Sequence, residues 1–103
     1  MRIIIAGDGK VGATLTRKLS AEGCDLTLID SNPKVLEASL ERYDVMAIQG
    51  NCALMSVLNK AEIKKTDLLI AATGADEINL LSCMTAHKMN ERLHTIPRIR
   101  NPE

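Results

Sequence analysis

A chain of 103 residues, 46% apolar and 25% charged, is long enough for one folded domain and too short for two. Lys+Arg and Asp+Glu balance at 13 each, and the basic runs Lys64-Lys65 and Arg98-Ile99-Arg100 are short, which excludes a surface built to grip nucleic acid through its phosphates. No apolar run approaches the roughly 20 residues of a membrane span, and Ile3 to Ala6 is too short for a signal-peptide core, so a cytoplasmic domain with no direct membrane insertion is expected.

Tyr43 is the one aromatic residue, so the core has to be aliphatic. Cys24, Cys52 and Cys83 are widely spaced with no C-x-x-C, which suggests neither a disulfide framework nor a zinc site. Arg2 to Ala6 is a continuous β-branched run ending at Gly7, the signature of a strand buried on both faces of a parallel sheet. From Lys10 the period changes: Val11, Leu15 and Leu19 recur at helical spacing as the predicted inward stripe, and Gly23 supplies the stop. Leu26 to Ile29 reads as a second strand with Asp30 at its tip. Ser31-Asn32-Pro33 opens a helix whose apolar stripe is Val35, Leu36, Leu40 and Tyr43.

Val45 to Gln49 is predicted as a third strand, followed by a Gly50-Asn51-Cys52 turn. A short helix from Ala53 to about Lys60 then turns Leu54, Val57 and Leu58 inward. Leu68 to Ala72 is a fourth strand, ended by Thr73-Gly74. Asp76 is read as the cap of a long helix to about Glu91, and Arg92 to Ile99 as a fifth strand. Strands alternating with helices across short connections argue an α/β fold, a doubly wound parallel sheet of Rossmann-like type with its five strands in the order 3-2-1-4-5.

The stretch Gly7-Asp8-Gly9-Lys10-Val11-Gly12 is a G-x-G-x-x-G run that follows a strand and opens a helix, and Asp30 comes 18 residues after Gly12. That context is what a dinucleotide site requires. Gly7 permits the tight turn, Gly9 lets a pyrophosphate approach the backbone, and Gly12 lets the helix lie close on the strand. The helix start offers N–H groups and partial positive charge to phosphate. Asp30, with Ser31 beside it, is placed for ribose hydroxyls. It repels a 2′-phosphate: two unit charges about 4 Å apart at an effective dielectric of about 20 cost about 4 kcal/mol. NAD(H) is therefore favoured over NADP(H), and ATP or ADP satisfies the same groups. Asn51, Cys52 and Ala53 follow the third strand, where adenine is expected, with Asn51 either a base contact or a plain turn residue. Thr73 and Gly74 follow the fourth strand, at the point where open α/β sheets bind ligands.

Apolar residues of the Asp76 helix (Ile78, Leu80, Leu81, Cys83, Met84, Ala86 and Met89) spread over more than one face. One sheet buries one stripe, so the excess suggests a subunit interface. No catalytic constellation presents itself: His87 and His94 are not at metal-ligand spacing, and the chain is not read as an enzyme.

Taken together, these residues resemble the potassium-transport nucleotide-binding (KTN, or RCK) N-terminal domain of Trk-type potassium uptake regulatory subunits. The resemblance runs through the glycine loop, Leu28-Ile29-Asp30, Gly50-Asn51-Cys52-Ala53 and Ala71-Ala72-Thr73. It is most distinctive in Asp76-Glu77-Ile78-Asn79 and in the ending Arg98-Ile99-Arg100-Asn101-Pro102-Glu103. It implies a cytoplasmic regulator that binds NAD(H) or ATP/ADP, forms homodimers or larger homo-oligomers, and sits on the inner face of the membrane through a potassium-translocating partner. It also implies that Arg98 and Arg100 reach toward phosphates. Two positions depart from the family pattern: Asn51 stands where an acid or His is common, and Pro97 falls inside the fifth strand. The family continues with another helix and strand, so residues 1–103 are read as one nucleotide-binding domain lacking those last elements. The competing readings are the cofactor half of an NAD-dependent oxidoreductase and a methyltransferase-like nucleoside binder, the latter disfavoured by the glycine spacing.

Overall fold

The computed structural model describes residues Met1–Arg100, and Asn101, Pro102 and Glu103 of the family-like ending lie outside the described residues. Strand β1 (Arg2–Ala6) runs up the middle of the molecule and turns into helix α1 (Lys10–Ala21). There follow β2 (Asp25–Asp30), α2 (Pro33–Arg42), β3 (Met46–Gln49), α3 (Met55–Lys60), a 3-10 turn at Ile63–Lys65, β4 (Leu68–Ala71), α4 (Asp76–Met89) and β5 (His94–Pro97). The five strands form one sheet in the order β3-β2-β1-β4-β5, every pairing parallel, as the alternation of strands and helices predicts.

Period-two alternation sorts the strand residues to the two faces. Ile3, Ile5, Leu26 and Leu28 meet Leu36 of α2, with Leu15 and Leu19 of α1 against them. Ile4, Ala6, Ile29, Leu69 and Ala71 meet Val57 and Leu58 of α3, Ile63, and Cys83 and Ala86 of α4. The sheet is thus covered on both sides, which is why its central strands are continuously apolar.

Several local expectations are corrected. In α1 the buried positions are Gly12 and Thr16, while Val11 is exposed. The helix is drawn onto β1 at Gly12, and the next position on that line is Thr16, whose hydroxyl donates to the Gly12 carbonyl at 2.8 Å. The start of α2 is as expected, with Asn32 the cap before Pro33 and its side chain accepting from the Lys34 amide at 3.0 Å. Leu40 there is exposed and Ser39 takes the buried place, because its hydroxyl meets the buried Asp8 at 2.5 Å. Helix α3 begins two residues later than predicted, and Leu54, at its cap position, points outward. Asp76 is the first residue of α4, not its cap; the cap position is Ala75, and the Asp76 carboxylate accepts from the Arg100 amide at 3.1 Å.

Strand β5 is shorter than predicted and lies at the sheet edge among the described residues. The amides of His94 and Arg98 donate to the Asp67 and Ala71 carbonyls of the β4 side. Even positions therefore face β4, and the odd position of Pro97 faces the open edge, where its missing N–H interrupts no bond.

Candidate functional site

A cavity of about 660 Å³ lies across the carboxyl ends of the strands, within the range of roughly 300–1,000 Å³ typical of small-molecule sites. Its middle is the glycine loop on β1: Gly7, Gly9, Lys10 and Val11 line it. On one side it passes over β2 and β3, lined by Ile29, Asp30, Ser31, Gly50, Asn51 and Cys52. On the other it passes over β4 and β5, lined by Ala72, Thr73, Gly74, Ala75, Ile78 and Arg98.

The loop geometry follows from two contacts. Gly7 has a φ of +92°, which favours glycine, and a Cβ there would lie 2.8 Å from Ala72 and Thr73 backbone atoms. A Cβ on Gly12 would lie 1.8 Å from the Gly7 carbonyl oxygen. Together these bring α1 down on β1 with its first turn at the cavity. Gly9 is the N-cap residue, and no side chain caps the helix among the described residues. The first-turn N–H groups of α1, unpaired within any helix, are left at the cavity with the positive end of the dipole. In front of Gly9 there is open space: nothing lies within 4 Å of where its Cβ would be.

Asp30 is held from two sides. One carboxylate oxygen accepts from the Asp8 amide at 2.7 Å and the other from the Asn32 amide at 2.8 Å. A carboxylate offers about four acceptor positions, so two backbone donors fix it and leave capacity toward the cavity. Asp8 itself turns the other way. Its carboxyl is buried against α2, with Ser39 on one oxygen and no hydrogen-bond partner for the other among the described residues. Burial is the main cause that pushes the Asp8 carboxyl above the ordinary carboxylate range; the Ser39 bond opposes this and the Asp30 charge adds to it.

The remaining predicted residues divide. Ser31, Asn51, Cys52, Thr73, Gly74 and Arg98 line the cavity. Asn51 spends its side-chain oxygen locally, accepting from the Ala53 amide at 2.8 Å in the turn after β3. Cys52 is buried, and burial pushes its thiol up, with the Ser82 bond opposing, so it stays protonated at neutral pH. Gly12 lies behind the loop. Ala53 lines a separate groove between α3 and α4, with Leu54, Met55, Thr85 and Lys88. Arg100 reaches the Gly74 carbonyl at the cavity rim and lies 4.0 Å from Asp76. Sequence reasoning did not assign Ile29, Gly50, Ala72, Ala75 or Ile78 to the cavity, whose apolar or backbone wall they form. They carry no chemical signature; the cue for the first four was closeness to strand ends, and Ile78 was read only as part of the apolar surface of α4.

The sequence profile of the TrkA-N domain matches residues 3–103. The chain is 38% identical over 103 residues to the Trk system potassium uptake protein TrkA of Haemophilus influenzae and 43% identical over 103 residues to a TrkA homolog of Archaeoglobus fulgidus. It spans 22% and 23% of their lengths, respectively. Among solved structures, the Kef CTD of Shewanella denitrificans in AMP-bound form matches with a TM-score of 0.79 and 30% identity, over 92% of this chain and 57% of that one. The TrkA-N domain of the inner membrane protein ybaL from Escherichia coli matches with a TM-score of 0.85 at 23% identity, over 91% of this chain and 69% of that one, a likeness of fold.

Proposed function

The chain belongs to the TrkA-N domain family, and from that premise we propose that it is a nucleotide-sensing regulatory domain for potassium uptake. Its cavity takes an adenine nucleotide, NAD(H) first and ATP or ADP second. The observation that carries the reading is Asp30, fixed by the Asp8 and Asn32 amides beside an uncapped helix start. A ribose diol on the carboxylate and a phosphate at the α1 amides are complementary to that pair. The residues present fit such a ligand: Gly9 leaves the approach to the helix start open, and Lys10 and Arg98 add positive charge at the cavity wall. The AMP in the Kef relative supports the adenine half of the assignment.

In this reading the protein works on the inner side of the membrane through a potassium-translocating partner, in keeping with the names of its Trk relatives. No helix among the described residues is long and apolar enough to cross a membrane. Copies of the chain associate through the outer face of α4, where Leu80, Leu81 and Met84 are exposed. The nucleotide acts by binding one subunit arrangement better than another, the one way in which a ligand shifts such an equilibrium. The TrkA-N match and the Trk names of the relatives favour a sensor over the cofactor half of an oxidoreductase.

Thermal unfolding with added nucleotide tests the assignment. A ligand at about 100 times its dissociation constant adds about 2.7 kcal/mol, or on the order of 10–20 °C for a domain of this size. NADH, NAD or ATP should give such a shift and NADPH little. Asp30→Ala should lose most of it, since a hydrogen bond to a charged group contributes about 1.5–3 kcal/mol. Equal shifts with NADH and NADPH in the wild type would defeat the role given to Asp30.

A further inference from the structure

Asn79 is fully buried one turn into α4, lines no part of the cavity, and uses every hydrogen-bonding position it has. Its side-chain oxygen accepts from the Thr73 amide at 2.8 Å and from the Thr73 hydroxyl at 2.7 Å. Its side-chain nitrogen donates to the Thr73 carbonyl at 3.2 Å and to the Arg98 carbonyl at 2.9 Å. One amide thus ties the end of β4 to the end of β5. Those two ends carry Thr73, Gly74, Ala75 and Arg98, most of the wall of the cavity half opposite Asp30. Among the described residues Asn79 makes no bond to the β2–β3 half, where the Asp8 and Asn32 amides hold Asp30 and the Ser82 hydroxyl of α4 donates to the Cys52 carbonyl at 2.8 Å.

We infer that Asn79 is the positioning residue for the part of a dinucleotide that lies beyond its adenosine, acting through Thr73 and the Arg98 backbone; this rests on the reading of the cavity as a nucleotide site. The glycine loop on β1 divides the cavity. An adenosine monophosphate occupies the β2–β3 half and the loop. Only a longer ligand reaches the β4–β5 half, so the cavity tells a dinucleotide from a mononucleotide by the wall that Asn79 holds. Because Asn79 stands on α4, the same bonds carry any displacement of that wall to the helix whose outer face exposes Leu80, Leu81 and Met84.

The variant that isolates this role is Asn79→Asp. It keeps the size, and it loses at least one of the two donations to the Thr73 and Arg98 carbonyls, since a carboxylate donates none and a protonated carboxyl only one. Calorimetric titration of the full chain with NADH and, separately, with AMP is the readout. The expected result is NADH binding weakened at least tenfold with AMP binding within twofold of wild type. Equal weakening of both ligands marks a general structural role and overturns the inference, as does no weakening of either. Wild-type protein that binds neither NADH nor AMP overturns the nucleotide reading itself, and with it this inference. Should the carboxylate prevent folding, seen as loss of a cooperative thermal transition, Asn79→Ser buries no charge and is judged by the same pair of titrations.

Discussion

The Asp8 side chain and the Cβ directions of Gly7 and Gly12 point at the sheet, the loop backbone and helix α2, whereas the Cβ direction of Gly9 and the Asp30 carboxylate face the cavity, so the site has a back and a front with the same residue types on each. On the back every residue has a packing reason. Gly7 needs its positive φ and has no room for a Cβ against Ala72 and Thr73. Gly12 lies under the Gly7 carbonyl. Asp8 is buried against Ser39. On the front the fold asks for nothing. Gly9 has an ordinary φ of −79° and empty space where a Cβ would project. Asp30 is a partly exposed acid whose remaining acceptor capacity points at no protein donor among the described residues. Two of the three motif glycines are thus explained by the polypeptide alone, and only the proposed ligand gives the third a reason.

Gly12→Ala should break the back and have the largest effect. Its new methyl would overlap a backbone oxygen, which cannot rotate away as a side chain would, so α1 must lift from β1. Overpacking of this kind costs roughly 1–3 kcal/mol and occasionally more, and the top of that range is expected here. Each kcal/mol is about 4–8 °C for a domain of this size, so thermal melting should fall by at least roughly 12 °C, with or without nucleotide. A Gly12→Ala protein that melts within a few degrees of wild type would dissolve the distinction between back and front. Gly9→Ala should do the reverse. Its stability without ligand should stay within about 0.5 kcal/mol of wild type, or rise slightly, since alanine restricts the unfolded chain. NADH affinity should drop about tenfold, equivalent to about 1.4 kcal/mol, as the methyl enters the space in front of the α1 amides. Unchanged affinity would place the phosphates elsewhere.

The same division explains what was legible in the sequence. Strand order, the two-faced burial of β1 and the place of Asp30 followed from periodicity and spacing, because those patterns report directly on which residues meet the sheet. Two of the errors fell where a polar residue is buried and an apolar one that periodicity turned inward is not. Thr16 is buried and Val11 exposed, and Ser39 is buried beside an exposed Leu40. In both cases the reason is a partner distant in sequence or a backbone contact: the Gly12 carbonyl for Thr16, Asp8 for Ser39. Asn79 shows the same limit. Its motif was conspicuous, and its role depends on Arg98, 19 residues away, whose carbonyl only the folded chain brings within reach.

Asp8→Asn should have the smallest effect and probes the comparison most finely. The Asp8 carboxyl is held above its ordinary range chiefly by burial, whereas an unfolded aspartate titrates near 3.9. Between those two values the folded chain binds more protons than the unfolded one, so stability falls as pH rises through that window and levels off above it. Asparagine removes this component and the buried charge with it, and it still accepts from Ser39. At pH 7 the variant should be more stable than wild type by about 1 kcal/mol, the scale of one buried hydrogen-bonding group. The difference should shrink as pH falls toward 4, which chemical denaturation at a series of pH values measures against the background of the other carboxylates. Nucleotide affinity should stay within about twofold, because the Asp8 side chain points away from the cavity and its amide still holds Asp30. A tenfold loss of affinity would move Asp8 from the back of the loop to the front. It would mean that the α2 contact, and not Asp30 alone, sets the position of the ribose.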